Sequence, residues 1–359
     1  MNLQTWRWRV AARAMRLFAG RAAGAPATTL ARDGVFRILV CRASHSLGNT
    51  LLVTPLLAEI EATWPGAEVD VVTRSAIAPD AFRGYACVRD VIVLPRRGLR
   101  HPLALLRGLR RLARTSYDLA IDTDPRSHTG RALLLRSRAR HKLGFAGAGK
   151  SGTIACAIDP AGAPPHHGHF PVYLLRSALR RPPSRYPSLD LRLTAAEREL
   201  GAQALARLVA GAPARRGVIG VFANATGAKQ LPADWWRAFM PVVEAHFADW
   251  AIVEIVPIDA MSMLDSRYPA YYSSQLRRLA GVLSQLSLLV CLDCGVMHLA
   301  RAAGTRTAAI FTQTDAAEWG PYGDGAHVVD AALLPPDAAA RAVVAAVDRD
   351  AGLPSSRVA

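Results

Sequence analysis

Cysteine is sparse: Cys41, Cys87, Cys156, Cys291 and Cys294 are odd in number and irregularly spaced, and Cys41 and Cys291 sit inside apolar runs. That excludes a disulfide framework and fits a reduced, cytosolic compartment. Long apolar runs are missing as well. No stretch reaches the roughly 18 consecutive apolar residues of a membrane span, and arginines interrupt the N-terminus where a signal peptide needs its apolar core. Acidic residues are in deficit, 28 against 44 Lys and Arg, which leaves a net charge of +16 carried almost wholly by arginine. The imbalance favours anionic partners, either phosphorylated metabolites or an anionic membrane face. No nucleic-acid recognition motif accompanies the charge, so nucleic acid is not an expected partner. What remains is a packed globular composition, 51% hydrophobic and 20% charged, in a chain of 359 residues. That length is too great for one ordinary core and predicts two domains.

One stretch organises the chain. Leu288 to Leu292 is an apolar run of strand length, which ends at Asp293, turns through Cys294 and Gly295, and continues with the Met297, Ala300, Gly304 spacing of a helix packed on a sheet. The first N–H groups of such a helix lack partners, and with the helix dipole they form a phosphate cradle at the carboxyl edge of a parallel sheet. Asp293 can cap that helix or accept hydrogen bonds from sugar or ribose hydroxyls, while His298 in the first turn can donate to a phosphoryl oxygen. A capped, buried helix with a satisfied histidine is the structural alternative.

Taken in order, residues 1–30 form a basic amphipathic segment: Leu3, Trp6, Val10, Ala14, Leu17 and Phe18 share a helical face opposite Arg9, Arg13 and Arg16. The pattern suits an anionic membrane leaflet or packing on the protein itself. From Arg37 short apolar runs alternate with helical patterns, the signature of a parallel sheet with helices on both faces. Strands are expected at 38–41, 69–73, 90–94, 119–122 and 141–145, with helices at 48–63, 102–114 and 127–137. The first turn carries His45, Ser46, Gly48 and Asn49, and a later strand ends in Asp122, Asp124 and Arg126. Both stand where ligands bind in a doubly wound sheet. A proline-rich linker over 181–193 separates the domain spanning 31–180 from a second alternating series over 194–335. Its strands are expected at 218–222, 251–256, 288–292 and 307–311, with helices at 194–210, from 233 and at 274–285. A final helix and tail occupy 336–359.

Three motifs weigh less. Gly144 to Ser151 matches the phosphate-loop pattern, yet Gly152 to Ile158 reads as strand where a helix must open. His166, His167 and His169 lack a fourth ligand at metal spacing and read as a solvated loop, so no metal site is expected. Cys291 and Cys294 form C-x-x-C, with one thiol inside a strand.

Several pieces together resemble glycosyltransferase family 9, the ADP-heptose:lipopolysaccharide heptosyltransferases. They are Ser46-Leu47-Gly48-Asn49, Thr54 to Leu57, Trp64 to Asp70, Tyr117 to Asp122, Leu143 to Phe145, Lys229 with Leu231 to Trp236, Asp293 to Gly304, Phe311 to Asp315 and Trp319 to Gly323. The resemblance implies a GT-B fold, two Rossmann-like doubly wound α/β domains facing a central cleft. It implies an inverting, metal-independent transfer of a sugar, heptose from ADP-heptose, to lipopolysaccharide core or a related lipid-linked glycan, at the cytoplasmic side of the inner membrane. No cofactor is implied beyond the nucleotide-sugar substrate. By the same analogy the donor-binding residues are Thr226, Lys229, Glu254, Asp293, Cys294, Gly295, Val296 and His298, and the acceptor side holds Ser46, Gly48 and Arg126. Two positions depart from the family. Where an Asp commonly stands as the proposed base this chain has Asn49, whose amide cannot accept a proton at neutral pH. Asp122, Asp124 and His45 are the alternative bases, unless Asn49 only orients the acceptor. Cys294-Gly295-Val296 stands where Thr or Ser, then Gly-Pro, is usual. A catalytically weak, nucleotide-sugar-binding accessory protein is the alternative reading.

Overall fold

The computed structural model describes residues 30, 32–147, 154, 156–211, 216–257 and 262–349. The amphipathic segment expected over residues 1–30 lies almost wholly outside them, as does the second half of the phosphate-loop match, residues 148–151. The chain divides into two units, Met1–Pro187 and Ser188–Ala359.

In the first unit the strands are β1 (Arg37–Arg42), β2 (Glu68–Thr73), β3 (Val88–Val93), β4 (Ser116–Asp122), β5 (Arg138–Phe145) and β6 (Cys156–Ile158). They pair in parallel in the order β3-β2-β1-β4-β5-β6. Helices α1 (Leu47–Leu51), α2 (Thr54–Thr63), α3 (Ala78–Phe82), α4 (Pro102–Arg114), α5 (His128–Arg136) and α6 (Phe170–Ala178) lie between and after the strands. In the second unit β7 (Val218–Phe222), β8 (Ala251–Ile255), β9 (Ala270–Tyr271), β10 (Leu288–Leu292), β11 (Thr307–Phe311) and β12 (Ala326–Asp330) pair in parallel in the order β12-β11-β10-β7-β8-β9. Its helices are α7 (Ala195–Val209), α8 (Ala233–His246), α9 (Leu276–Leu283), α10 (Gly295–Ala303), α11 (Ala316–Trp319) and α12 (Pro336–Asp348).

Both orders are doubly wound and reverse direction at one point, between β1 and β4 in the first unit and between β7 and β10 in the second. Central strands are apolar from end to end because helices cover both faces: Ile38 to Cys41 and Leu288 to Cys291 are fully buried. The last helix, α12, belongs to the core of the second unit, where Ala339, Ala340 and Val343 pack with Trp236, Phe239 and Leu288.

Several expectations need correction. The helix expected over 48–63 is broken into α1 and α2, because Pro55 has no N–H for the Leu51 carbonyl; the Thr54 hydroxyl donates to that oxygen instead, at 2.7 Å. Strands β3 and β5 begin earlier than expected, at Val88 and Arg138, since charged residues occupy their less buried edges. The histidine loop is not solvated: His166 and His167 are buried, and His169 stacks on Tyr186 at 4.3 Å. It ends where α6 begins, a helix absent from the expected set. Among the described residues no group of three His, Cys, Asp or Glu is arranged to hold a metal, and no helix is long and apolar enough to cross a membrane.

Candidate active site

In the first unit β1 delivers Arg42, nearly buried, to the switch point. Ser46 then caps α1, accepting from the Asn49 N–H, and the Thr50 hydroxyl bonds the Ser46 carbonyl at 2.8 Å. This turn fixes Asn49 from two sides. Arg42 Nη2 donates to Asn49 Oδ1 at 2.6 Å, and Asn49 Nδ2 donates to Ser46 Oγ at 2.8 Å. Arg42 Nη1 also lies 3.6 Å from Asp124, which follows the neighbouring strand β4. Burial lowers the Arg42 pKa while Asp124 and Asp122 oppose that fall, so the guanidinium keeps its charge.

The two carboxylates after β4 differ sharply. Asp122 is fully buried and accepts from Arg131 Nε at 3.2 Å; Arg131 Nη2 continues to the Phe145 carbonyl at 2.6 Å. A buried carboxylate clasped by a buried guanidinium holds α5 against the sheet and is poorly placed to meet an acceptor. Asp124 is partly exposed and accepts the Arg126 N–H at 2.8 Å. His45 is exposed, and burial together with Arg96 and Arg74 pushes its pKa below 6.5, so it is neutral at pH 7. The structure thus joins His45, Ser46, Gly48 and Asn49 in one turn and ties Asp124 to that turn through Arg42. It sets Asp122 apart in the interior, and the exposed Arg126 is linked to Asp124 by its backbone.

In the second unit the switch point holds the donor candidates. Asp293 leaves β10 nearly buried, and its Oδ2 accepts from Lys229 Nζ at 3.1 Å and from the Thr314 hydroxyl. It therefore does not cap α10; that position belongs to Cys294, with Gly295 opening the helix. Burial pushes the Cys294 thiol up, but hydrogen bonds from Cys291 and from the Met297 and Val296 N–H groups outweigh it and bring its pKa below 9.0. The net shift of Cys291 is the opposite: burial, reinforced by its bond with Cys294, holds its thiol well above that value. His298 is buried one turn into α10. Lys229 reaches Asp293 from the loop after β7, where the exposed Thr226 precedes a short 3-10 turn. Gln230 shapes this loop, accepting from the Ala225 N–H at 2.7 Å and donating to the Ala223 and Leu231 carbonyls. Glu254, fully buried at the end of β8, accepts from the Ser262 hydroxyl and from the Met263 N–H at 3.0 Å.

Sequence reasoning missed Arg42, Thr314 and Gln230. A charge closing an apolar strand was the available signal for Arg42, and Thr314 lies within a stretch read for its family likeness alone.

Two parallel, doubly wound units define the class as a GT-B fold. Residues 273–340, which contain β10, α10 and β11, match the family model for glycosyltransferase family 9 (heptosyltransferase). The chain is similar in structure to a glycosyl transferase family 9 protein from Veillonella parvula, with TM-score 0.68 and 19% identity over 84% of this chain and 87% of that one. It is similar to the E. coli heptosyltransferase WaaC solved with ADP-2-deoxy-2-fluoro heptose, with TM-score 0.65 and 20% identity over 88% of this chain and 100% of that one. It is also similar to E. coli ADP-heptose lps heptosyltransferase II, with TM-score 0.64 and 15% identity over 88% and 100%. Comparison with curated proteins gives no match. The chain thus has a GT-B fold like those of these proteins, and the segment that matches the family model contains Asp293 and the start of α10.

Proposed function

We propose that this chain is an inverting glycosyltransferase that moves a sugar from a nucleoside-diphosphate donor, heptose from ADP-heptose, to lipopolysaccharide core or a related envelope glycan at the cytoplasmic face of the inner membrane. The observation that carries the reading is the Lys229–Asp293–Thr314 cluster beside the N-terminus of α10, two of whose members, Asp293 and Thr314, lie inside the segment that matches the family. WaaC, solved with an ADP-sugar analogue, supports the donor class.

The chemistry follows from the groups present. An acceptor hydroxyl attacks the anomeric carbon on the face opposite the diphosphate, through an oxocarbenium-like state, and the bond to the diphosphate oxygen breaks. The α10 N–H groups and Lys229 meet the growing negative charge, a route that uses no metal. Asp293 and Glu254 exchange their present partners for donor hydroxyls. The acceptor proton passes to Asp124 or to the neutral imidazole of His45, while Arg42 fixes Asn49 as an orienting amide.

The test is turnover of ADP-heptose by the purified protein with a core acceptor. Lys229→Met should cut turnover on the order of 100-fold, the scale of losing one charge-stabilising donor. Asp124→Asn and His45→Asn, made singly, should show a loss in one and little change in the other. Failure to bind ADP or to consume the donor sinks the proposal. A second reading, a nucleotide-sugar-binding protein with little transferase activity, is favoured by Asn49 alone; ADP binding without turnover would select it.

A further inference from the structure

Between residues 95 and 115 the chain carries seven arginines and no acidic residue. This segment leaves β3 at the carboxyl edge of the first sheet and becomes α4. The inward face of α4 is fully accounted for: Leu112 is buried, Leu105 and Leu109 pack against the core with Ile92 and Leu94, and a side chain at Gly108 would strike Leu94 at 2.4 Å. At 100° per residue, Leu103, Leu106, Arg107, Arg110 and Arg114 share the opposite face. Leu103 is 72% exposed and Leu106 41%. Arg111 pairs with Asp90 at 2.7 Å, but no acidic side chain among the described residues pairs with Arg107, Arg110 or Arg114. Arg96, Arg97 and Arg100 extend the positive surface back to the sheet edge, where Arg96 acts on His45.

Arginines alone would suit any soluble anion. Two outward leucines among them do not, since apolar side chains gain nothing from a hydrated phosphate, whereas leucine tips beneath a ring of guanidinium groups match the boundary between anionic headgroups and acyl chains. We propose that the outward face of α4 docks the first unit on an anionic bilayer, with Leu103 and Leu106 entering the headgroup region and Arg107, Arg110 and Arg114 pairing with lipid phosphates. The proposal deepens the membrane part of the reading above and assigns it to a helix separate from residues 1–30.

The experiment is co-sedimentation of the full chain with vesicles of phosphatidylglycerol and phosphatidylcholine, against pure phosphatidylcholine. The parent should bind the anionic vesicles at least tenfold more tightly. R107E/R110E/R114E should lose on the order of 100-fold, and the neutral R107Q/R110Q/R114Q provides the same test if the charge reversal fails to fold. L103S/L106S should weaken binding about tenfold while leaving its salt dependence intact. All variants should keep the parent's melting temperature and ADP affinity. Unchanged binding in the arginine variants, or loss only on deleting residues 1–24, overturns the proposal. So does unchanged binding in L103S/L106S, which would mark a site for a soluble polyanion, as would preference for an oligonucleotide over vesicles. Transfer to a water-soluble acceptor fragment is read separately: its absence in the parent sinks the transferase reading without touching vesicle binding.

Discussion

Cys294 shows how a single residue's chemistry depends on where the chain places it. Of the described cysteines Cys41, Cys87, Cys156 and Cys291 are buried, while Cys294 is half-exposed at the start of α10 with its thiol facing helix N–H groups. Hydrogen bonding to the thiolate favours the charged form, so its reactive fraction should persist below the pH at which an ordinary thiol is protonated. Iodoacetamide should label Cys294 first, with a half-maximal rate below pH 9, and ADP should slow that labelling by at least about tenfold if the diphosphate occupies the same N–H groups. Peptide mapping after timed alkylation checks both; labelling indifferent to ADP would separate the thiol from the donor site. The residues of this site were legible because strand, acid, glycine and helix follow one another in the chain. Arg42 was not, because its partners Asn49 and Asp124 meet it only after β1 and β4 pair, with Cys41 opposite Asp122. The same pairing separates two of the candidate bases: nothing local distinguishes Asp122 from Asp124, and only the fold buries Asp122 against Arg131.

At the scale of elements, the contact between α7 and α9 is the most demanding in the second unit. A side chain at Gly201 would meet the Gly281 carbonyl at 2.2 Å, so the helices touch through backbone. That closeness brings Arg277 against Glu197, with Nη2 to Oε2 at 2.7 Å, while Glu197 also completes the capping box with Thr194. Bonding to Arg277 first, then to the Thr194 N–H, outweighs partial burial and drops the Glu197 pKa from 4.5 to about 2. A depressed carboxylate stabilises the fold above its unfolded value and loses that contribution as pH falls through its folded one. Glu197→Gln keeps the cap acceptor and removes the charge. It should therefore cost about 1–2 kcal/mol at pH 7, discounted for the exposed part of the pair, with parent and variant converging between pH 4.5 and 2. Calorimetry across that range decides, and a constant difference would assign the effect to packing. Helix α7 was readable from Thr194 and Glu197 in the sequence. The short pieces α3, α11 and β9 were not, because elements of two to five residues carry too little periodicity to stand out from turns.

Over the whole molecule the same winding appears twice, and this decides where each function can reside. Both sheets reverse between the first and fourth of their strands in chain order, so each unit has its own switch point and its own set of loops there. Every donor candidate, Thr226, Lys229, Glu254, Asp293, Cys294, Gly295, Val296 and His298, together with Thr314, falls within Ser188–Ala359. The core of that unit is likewise self-contained, built from Trp236, Phe239, Val290 and Ile310 with the closing helix α12. A fragment spanning residues 188–359 should therefore fold alone and unfold in one cooperative transition. It should bind ADP within about tenfold of the full chain, the spread expected for 1.4 kcal/mol, and it should transfer no sugar, since the candidate bases Asp124 and His45 are absent. Calorimetric titration of the fragment with ADP checks the assignment. A folded fragment with no affinity for ADP would mean that residues 188–359 do not hold the nucleotide site by themselves, and would overturn the assignment of the whole donor set to the second unit.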